Sequence, residues 1–293
     1  MTTTLIVNPY ASRVTPELAQ QVAAALGAEQ TVFTERAGHA VELTRDADTD
    51  AVVVFSGDGG FNEALNGARA ETILGFVPGG GTSVLPRALG LPRDPLHAAR
   101  AIAAGRTRRI SLGRANGRRF GFAAGVGLDA ELVRRMDARG RDENGKRPGD
   151  LTFAWTALRT LAEQRMRFDP ALEVVGQGRA AFTLVANADP YSYVGKLPLR
   201  LARGAQIDGG LDLLAPRSFH LRHLPGAVRY LVTGRARLPL VTLHDADRIE
   251  VRCDHPLPLQ LDGEDVGDVT EVVFEAERDA VSVLVSEVRS APR

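Results

Sequence analysis

The sequence predicts a two-domain protein: an α/β N-terminal domain on a parallel sheet, then an antiparallel, β-sandwich-like C-terminal domain. Three observations carry that expectation. From Thr3 to about Leu112, apolar runs alternate with helical patterns, as in a parallel sheet with helices on both faces. Two consecutive apolar runs, residues 51–55 and 73–77, each end in a glycine-rich turn. After about Arg119 the pattern changes to short strand-like segments: FGFAAGVG, ALEVV, AAFTLVANA, RIEVRC, LPLQLDGE, VTEVVFEA and AVSVLVSEV. The expected boundaries are 1–119 and 120–293, with the final strand able to return to the first domain.

In chain order, Leu5 to Val7 read as a first strand. Thr15 is placed to cap a helix with Pro16 at its first position, and Leu18, Val22 and Leu26 share one face. AVVVF, residues 51–55, is an apolar β-branched run of the kind buried in parallel sheets. Ser56-Gly57-Asp58-Gly59-Gly60 then turns the chain into a helix from FNEALNGA, with Asn62 and Glu63 in its first turn. A glycine turn before a helix N-terminus exposes backbone N–H groups that suit phosphate oxygens. Asp58 adds a carboxylate fit for a metal ion or a ribose hydroxyl. Residues 73–77 form the next strand, Pro78 to Ser83 its turn, and Val84 to Leu89 a short helix whose start Pro86 restricts. Asp94 and Pro95 open another helix, which Gly105 is placed to close.

One glycine turn is common in α/β proteins. This one is no P-loop: the only lysines, Lys146 and Lys196, precede Arg147 and Leu197, so no Gly-Lys-Ser/Thr ending exists. Nor does it complete the dinucleotide fingerprint, since Asn62 stands where the third glycine belongs. Two ordered turns at strand carboxyl ends are a stronger signal, because open α/β sheets hold ligands there.

In the second half, residues 128–139 present Leu132, Val133 and Met136 as an ordinary packing face. Residues 150–164 carry a strongly apolar stripe of Leu151, Ala154, Trp155, Leu158 and Leu161, read first as core and second as the wall of an acyl-chain cleft. Between them lies a polar loop, residues 139–149.

Composition sets outer bounds. At 293 residues and 44% hydrophobic, the chain is long enough for two cores, and its apolar runs are far shorter than a membrane span. MTTTLIVNPY lacks a basic region ahead of an apolar one. The single cysteine, Cys253, excludes an intramolecular disulfide and a cysteine-based zinc cluster, and reads as an inert buried thiol in a cytoplasmic protein. His220 and His223 are three apart, but their neighbours favour packing over zinc, and no Gly-x-Ser-x-Gly elbow is present. The 36 basic and 36 acidic residues balance, which gives no support for nucleic-acid binding. Two arginine clusters stand out: Arg106, Arg108, Arg109, Arg114, Arg118 and Arg119, then Arg134, Arg135, Arg139, Arg141, Lys146 and Arg147. They read first as solvated surface and second as a dock for an anionic membrane.

The ordered motifs resemble the diacylglycerol kinase-like lipid kinases, which include bacterial diacylglycerol kinases and sphingosine kinases. The family's Gly-Gly-Asp-Gly-Thr-x-Asn-Glu-x-x-Asn-Gly motif stands here as residues Ser56 to Gly67, and its Pro-Gly-Gly-Ser/Thr-Thr-Asn-x-Phe-Ala-Arg motif as Pro78 to Arg87. Asn8-Pro9 matches the Asn-Pro motif after the first strand, and Thr34 with Gly38-His39-Ala40 the Thr…Gly-His-Ala segment. Gly125-Val126-Gly127-Leu128-Asp129-Ala130, Asp208-Gly209-Gly210-Leu211-Asp212 and Asp262-Gly263-Glu264 match three later motifs in the family's order. The chain departs from the pattern at Gly60 for Thr, Ser83 for Asn and Pro86 for Ala.

The resemblance implies a Rossmann-like, NAD kinase-like first domain and phosphoryl transfer from ATP, with Mg2+, to a lipid hydroxyl, diacylglycerol before any other. It implies Glu264 as catalytic base beside Asp208. Nucleotide contacts fall to Asn8, Thr34, Gly57, Asp58, Gly59, Gly60, Glu63, Gly80, Gly81 and Thr82, and metal contacts to Asp58 and Asp208. The expected partners are a membrane lipid and an anionic membrane surface at the inner face, with homodimerisation left open. Asp262-Gly263 also reads as a plain hairpin turn. Alternatives are a kinase of another lipid or sphingoid base, and a non-catalytic nucleotide- or lipid-binding regulator.

Overall fold

The computed structural model describes residues 1–138, 159, 167–194, 197–235 and 238–286. The helix expected over 150–164, the loop 139–149 and the basic residues Arg139, Arg141, Lys146 and Arg147 lie outside the described residues. The chain forms two compact units, one of residues 1–111 with the stretch from Asp279, the other of Leu112–Arg278.

In the first unit, β1 (Thr3–Val7), β2 (Gln30–Phe33), β3 (Ala51–Ser56) and β4 (Ile73–Pro78) pair in parallel in the order β4-β3-β1-β2. Every residue of β1 and β3 is buried, which is why both read as unbroken apolar or threonine-flanked runs. The crossovers are α1 (Pro16–Leu26), α2 (His39–Asp46) and α3 (Asp58–Gly67), followed by α4 (Val84–Ala88) and α5 (Pro95–Ala103). Thr15 accepts the Leu18 N–H and Asp94 accepts the His97 N–H, so both expected caps form in front of their prolines. Phe61 of α3 meets Phe76 of β4 edge-on at 5.3 Å, fixing helix to sheet.

Two local expectations are corrected. Helix α3 begins at Asp58, so Asp58, Gly59 and Gly60 form its first turn, and Asn62 and Glu63 lie beyond it. Ala104, not Gly105, caps α5; Gly105 instead lets the backbone of Val285 approach, since a Cβ there would stand 2.0 Å from the Val285 carbonyl oxygen.

In the second unit, β5 (Arg106–Ala115) enters and pairs with β6 (Arg118–Phe120). Then follow β7 (Ala123–Val126), α6 (Leu128–Ala138), β8 (Arg167–Phe168), β9 (Leu172–Val174), β10 (Gly178–Ala180), β11 (Thr183–Ala186), β12 (Ser192–Val194) and β13 (Leu197–Leu199). Next come β14 (Leu211–Pro216), β15 (Phe219–His220), a 3-10 turn (Leu221–His223), α7 (Leu224–Thr233), β16 (Leu240–Ala246), β17 (Arg248–Leu261) and β18 (Glu264–Val285). The antiparallel order is β16-β14-β11-β7-β17-β18, with β9 and β10 extending from β17. Its core gathers Phe120, Val126, Leu172, Val185, Leu213, Val251, Leu259 and Phe274.

Sequence reasoning split β17 and β18 into two segments each. Both are continuous strands, with the β17 register shifting between Arg252 and Leu257 around Pro256. Strand β18 leaves its antiparallel partner and pairs in parallel with β4 through Ser282 and Val283 in the first unit.

Candidate functional site

The paired glycine turns of the first unit come together at the carboxyl ends of β3 and β4. The Gly79 N–H donates to the Ser56 carbonyl at 2.6 Å, and the Gly79 carbonyl accepts the Arg13 N–H at 2.9 Å. A Cβ on Gly80 would lie 2.8 Å from the Gly57 Cα, so the two turns are in backbone contact. Asp58 then closes the pair: its Oδ1 accepts the Val84 N–H at 2.6 Å, tying the start of α3 to the start of α4. Gly57 is extended and provides no side-chain cap to α3, and Gly57 to Gly60 are all partly exposed. Gly81 faces open space and Thr82 is half-buried. The partly exposed first turn of α3 thus lies beside a second glycine loop, a geometry suited to phosphate oxygens.

Asn8, at the end of β1, joins this site: its Nδ2 donates to the Ser56 hydroxyl at 3.2 Å and its Oδ1 accepts the Tyr10 N–H. Thr34 is buried just past β2, its N–H bound to the Val7 carbonyl. Glu63 points elsewhere than the turn. Its Oε1 accepts the Gly38 N–H at 2.8 Å and its Oε2 the Ala40 N–H at 3.1 Å, so the carboxylate sits at the N-terminus of α2.

In the second unit, Glu264 follows a hairpin turn at Asp262 and Gly263, both with positive φ (50° and 79°). Turn and functional candidate therefore coincide. Asp262 is buried and accepts three N–H groups, from Gly121 at 2.6 Å, Phe122 at 2.9 Å and Ala123 at 3.1 Å. Gln260 accepts the Gly263 N–H at 2.8 Å and donates to Asp129 at 2.7 Å. Tyr191 donates to the same Asp129 oxygen at 2.6 Å. Burial pushes the Asp129 carboxyl up from its ordinary value, against the pull of the hydrogen bonds from Tyr191 and Gln260. Arg118 holds Glu264 itself through Nη2 at 3.0 Å.

Asp208 is exposed just before β14. Strand register runs Asp212 to Ala186, Ala186 to Ala123, and the Ala123 carbonyl accepts the Asp262 N–H. The Asp-Gly-Gly-Leu-Asp segment and the Asp-Gly-Glu turn therefore open on the same end of this sheet. Asp212 and Asp262 stand about 14 Å apart, three strand spacings.

The network of Asp129, Tyr191 and Gln260 and the arm of Arg118 escaped sequence reasoning. Asp129 stood in a quoted motif without a role; Tyr191 and Gln260 carried no local signal. The first arginine cluster engages internal carboxylates: Arg114 and Arg119 both bind Glu277, at 2.8 Å and 2.6 Å, and Arg118 binds Glu264. In the second cluster Arg134 binds Asp265 and Asp268, and Arg135 binds Glu131. Arg106, Arg108 and Arg109 are exposed, Arg114, Arg118, Arg134 and Arg135 are partly exposed and ion-paired, and Arg119 is largely buried against Glu277. Cys253 is half-buried and its thiol is pushed up to about 11 by burial and by Asp254. No helix among the described residues is long and apolar enough to cross a membrane, and no cluster of three His, Cys, Asp or Glu side chains poised for a metal occurs among them.

A parallel α/β unit with twin glycine turns at its strand carboxyl ends and a strand-rich second unit define the architecture. Residues 2–115 match the diacylglycerol kinase catalytic domain. The chain is 32% identical over 277 residues to a diacylglycerol kinase of Staphylococcus carnosus, covering 89% of this chain and 87% of that one. It is 27% identical over 256 residues to a diacylglycerol kinase of Bacillus subtilis, covering 80% and 78%. Against a Streptococcus pneumoniae relative the match spans about half of each chain, 54% of this one and 56% of that one. The fold is similar to the crystal structure of a diacylglycerol kinase from Bacillus anthracis, with a TM-score of 0.70, 19% identity and coverage of 98% and 97%. The chain belongs to the diacylglycerol kinase-like lipid kinase family.

Proposed function

We infer that this protein is an ATP-dependent lipid kinase that phosphorylates a lipid hydroxyl, with diacylglycerol as the first acceptor to test and phosphatidic acid as its product. The observation that carries the reading is the pair of glycine turns in backbone contact, locked by the Asp58–Val84 hydrogen bond. In this reading residues 1–119 bind nucleotide and 120–293 bind lipid. Backbone N–H groups of Gly57, Gly59, Gly60, Gly80, Gly81 and Thr82 cradle the triphosphate, while Asn8, Thr34 and Glu63 hold the surrounding chain in place.

Magnesium suits the donor set. Asp58, at the glycine turns of the first unit, and Asp208, in the second, are each hard oxygen donors of the kind this ion takes one or two at a time together with phosphate oxygens. Bound there, it would neutralise charge building on the transferring phosphoryl group. Glu264 takes the proton as the lipid hydroxyl oxygen bonds to the γ-phosphorus and the bond from that phosphorus to the bridging oxygen breaks, releasing ADP. The Asp129–Gln260–Gly263 chain of hydrogen bonds positions the turn that carries Glu264, and Arg118 holds its carboxylate in place at 3.0 Å. An anionic membrane surface is the proposed docking partner, through exposed arginines such as Arg106 and Arg109.

The test is transfer of labelled γ-phosphate from ATP in mixed micelles to diacylglycerol, monoacylglycerol, ceramide, sphingosine and phosphatidylglycerol. Glu264→Gln is expected to lose turnover by about a hundredfold or more while ATP still binds. Near-normal turnover in that variant sinks the assignment of the base. No labelled lipid with ATP binding intact favours a regulator.

A further inference from the structure

The first turn of α3 contains an exchange of side chains. A Cβ built on Gly60 would lie 2.2 Å from the Ser56 Oγ and 2.7 Å from the Ser56 Cβ. Rotating Ser56 cannot relieve this overlap, because its Cβ does not move with χ1. Ser56 is fully buried, its carbonyl accepts the Gly79 N–H, and its hydroxyl receives the Asn8 side chain. Residues 56 and 60 thus share one volume, and this backbone admits a side chain at only one of them. The motif that this segment resembles has the reverse arrangement, with Gly at the position of Ser56 and Thr at that of Gly60.

We propose that Ser56 is a positioning residue of the phosphate-binding turn: it fills from the strand side the space that a side chain at residue 60 would fill from the helix side, and steers Asn8 toward the turn. The side chain missing at Gly60 is then a relocation, and the first turn of α3 keeps its place. The inference rests on the nucleotide reading above, and the experiment separates the two.

Four proteins, wild type, Gly60→Thr, Ser56→Gly and the double variant, are compared for thermal unfolding and for ATP binding by calorimetry. Gly60→Thr is expected to unfold several degrees lower and to bind ATP about tenfold or more weaker. The double variant recovers most of both losses, a coupling expected only of residues that share space. A Gly60→Thr protein that matches wild type, or a double variant no better than it, overturns the proposal. In steady-state kinetics, Ser56→Ala keeps the packing Cβ and removes the Asn8 acceptor. It should raise KM for ATP about fivefold, one neutral hydrogen bond's worth, with unfolding temperature and kcat nearly unchanged. An unchanged KM overturns the steering of Asn8. Wild type that binds no ATP refutes the nucleotide reading instead, while the unfolding temperatures of the four proteins still decide whether the volume is shared.

Discussion

Glu63 shows how much one carboxylate fixes. Both of its oxygens accept N–H groups at the start of α2, across 25 and 23 residues of chain. Glu63→Gln replaces one acceptor by an NH2 that faces a backbone donor. Thermal unfolding should report a loss of about 1–3 kcal/mol, and ATP affinity should fall with it. A variant as stable as wild type would show that water replaces the lost acceptor. The letter Glu63 was legible in the sequence as part of a motif. Its partners were not, since nothing local ties position 63 to Gly38 and Ala40. The same holds for Gln260, whose amide reaches Asp129 only once β7 and β17 have paired.

At the scale of elements, the turn between β17 and β18 carries the sharpest expectation. Asp262 and Gly263 both occupy the left-handed region, and Asp262 gathers three backbone donors. Gly263→Ala should cost about 1 kcal/mol through its φ alone. Asp262→Ala should cost more, about 3 kcal/mol or above, because it orphans buried N–H groups. Denaturant unfolding of both variants checks the order, and the reverse order would place the strain in Gly263. Strands β1, β3 and β4 were legible because they are buried and read as apolar runs, whereas β2, mostly exposed, gave no such signal. Strands β14 and β16 were not. The β14 sequence LDLLAP is short and starts inside an Asp-Gly turn signal, and β16 mixes exposed and half-buried positions without strict alternation. The wrong start for α3 has a similar cause. Glycines argue against helix in a propensity count, yet here Gly60 sits in a first turn where a Cβ would stand 2.7 Å from the Ser56 Cβ.

For the molecule as a whole, Glu277 and His244 pull the pH dependence of stability in opposite directions. Burial pushes the Glu277 carboxyl up, but the hydrogen bonds from Arg119 and Arg114 outweigh it and bring it down to about 2. A depressed carboxyl stabilises the fold above its unfolded value near 4.5, and that stability drains away as pH falls toward 2. Removing it by Glu277→Gln should cost about 2 kcal/mol at neutral pH and flatten the acid limb of the stability curve. An unaltered acid limb would move the cause to another carboxyl. His244 works the other way. Its hydrogen bond to Asp212 at 2.8 Å raises the imidazole, so its contribution is complete below about 6.5 and fades as pH rises through the folded value. The ring is largely exposed, which limits the effect to less than about 1 kcal/mol and makes it sensitive to salt.

The return of β18 to β4 also sets a timetable. Leu74 and Val283 are neighbours in the finished sheet, yet a ribosome delivers the second roughly 200 residues after the first, some tens of seconds later at ordinary elongation rates. Until then one flank of β4 has no strand beside it. The N-terminal unit thus emerges first and is completed last, its sheet open on that flank until the closing strand arrives.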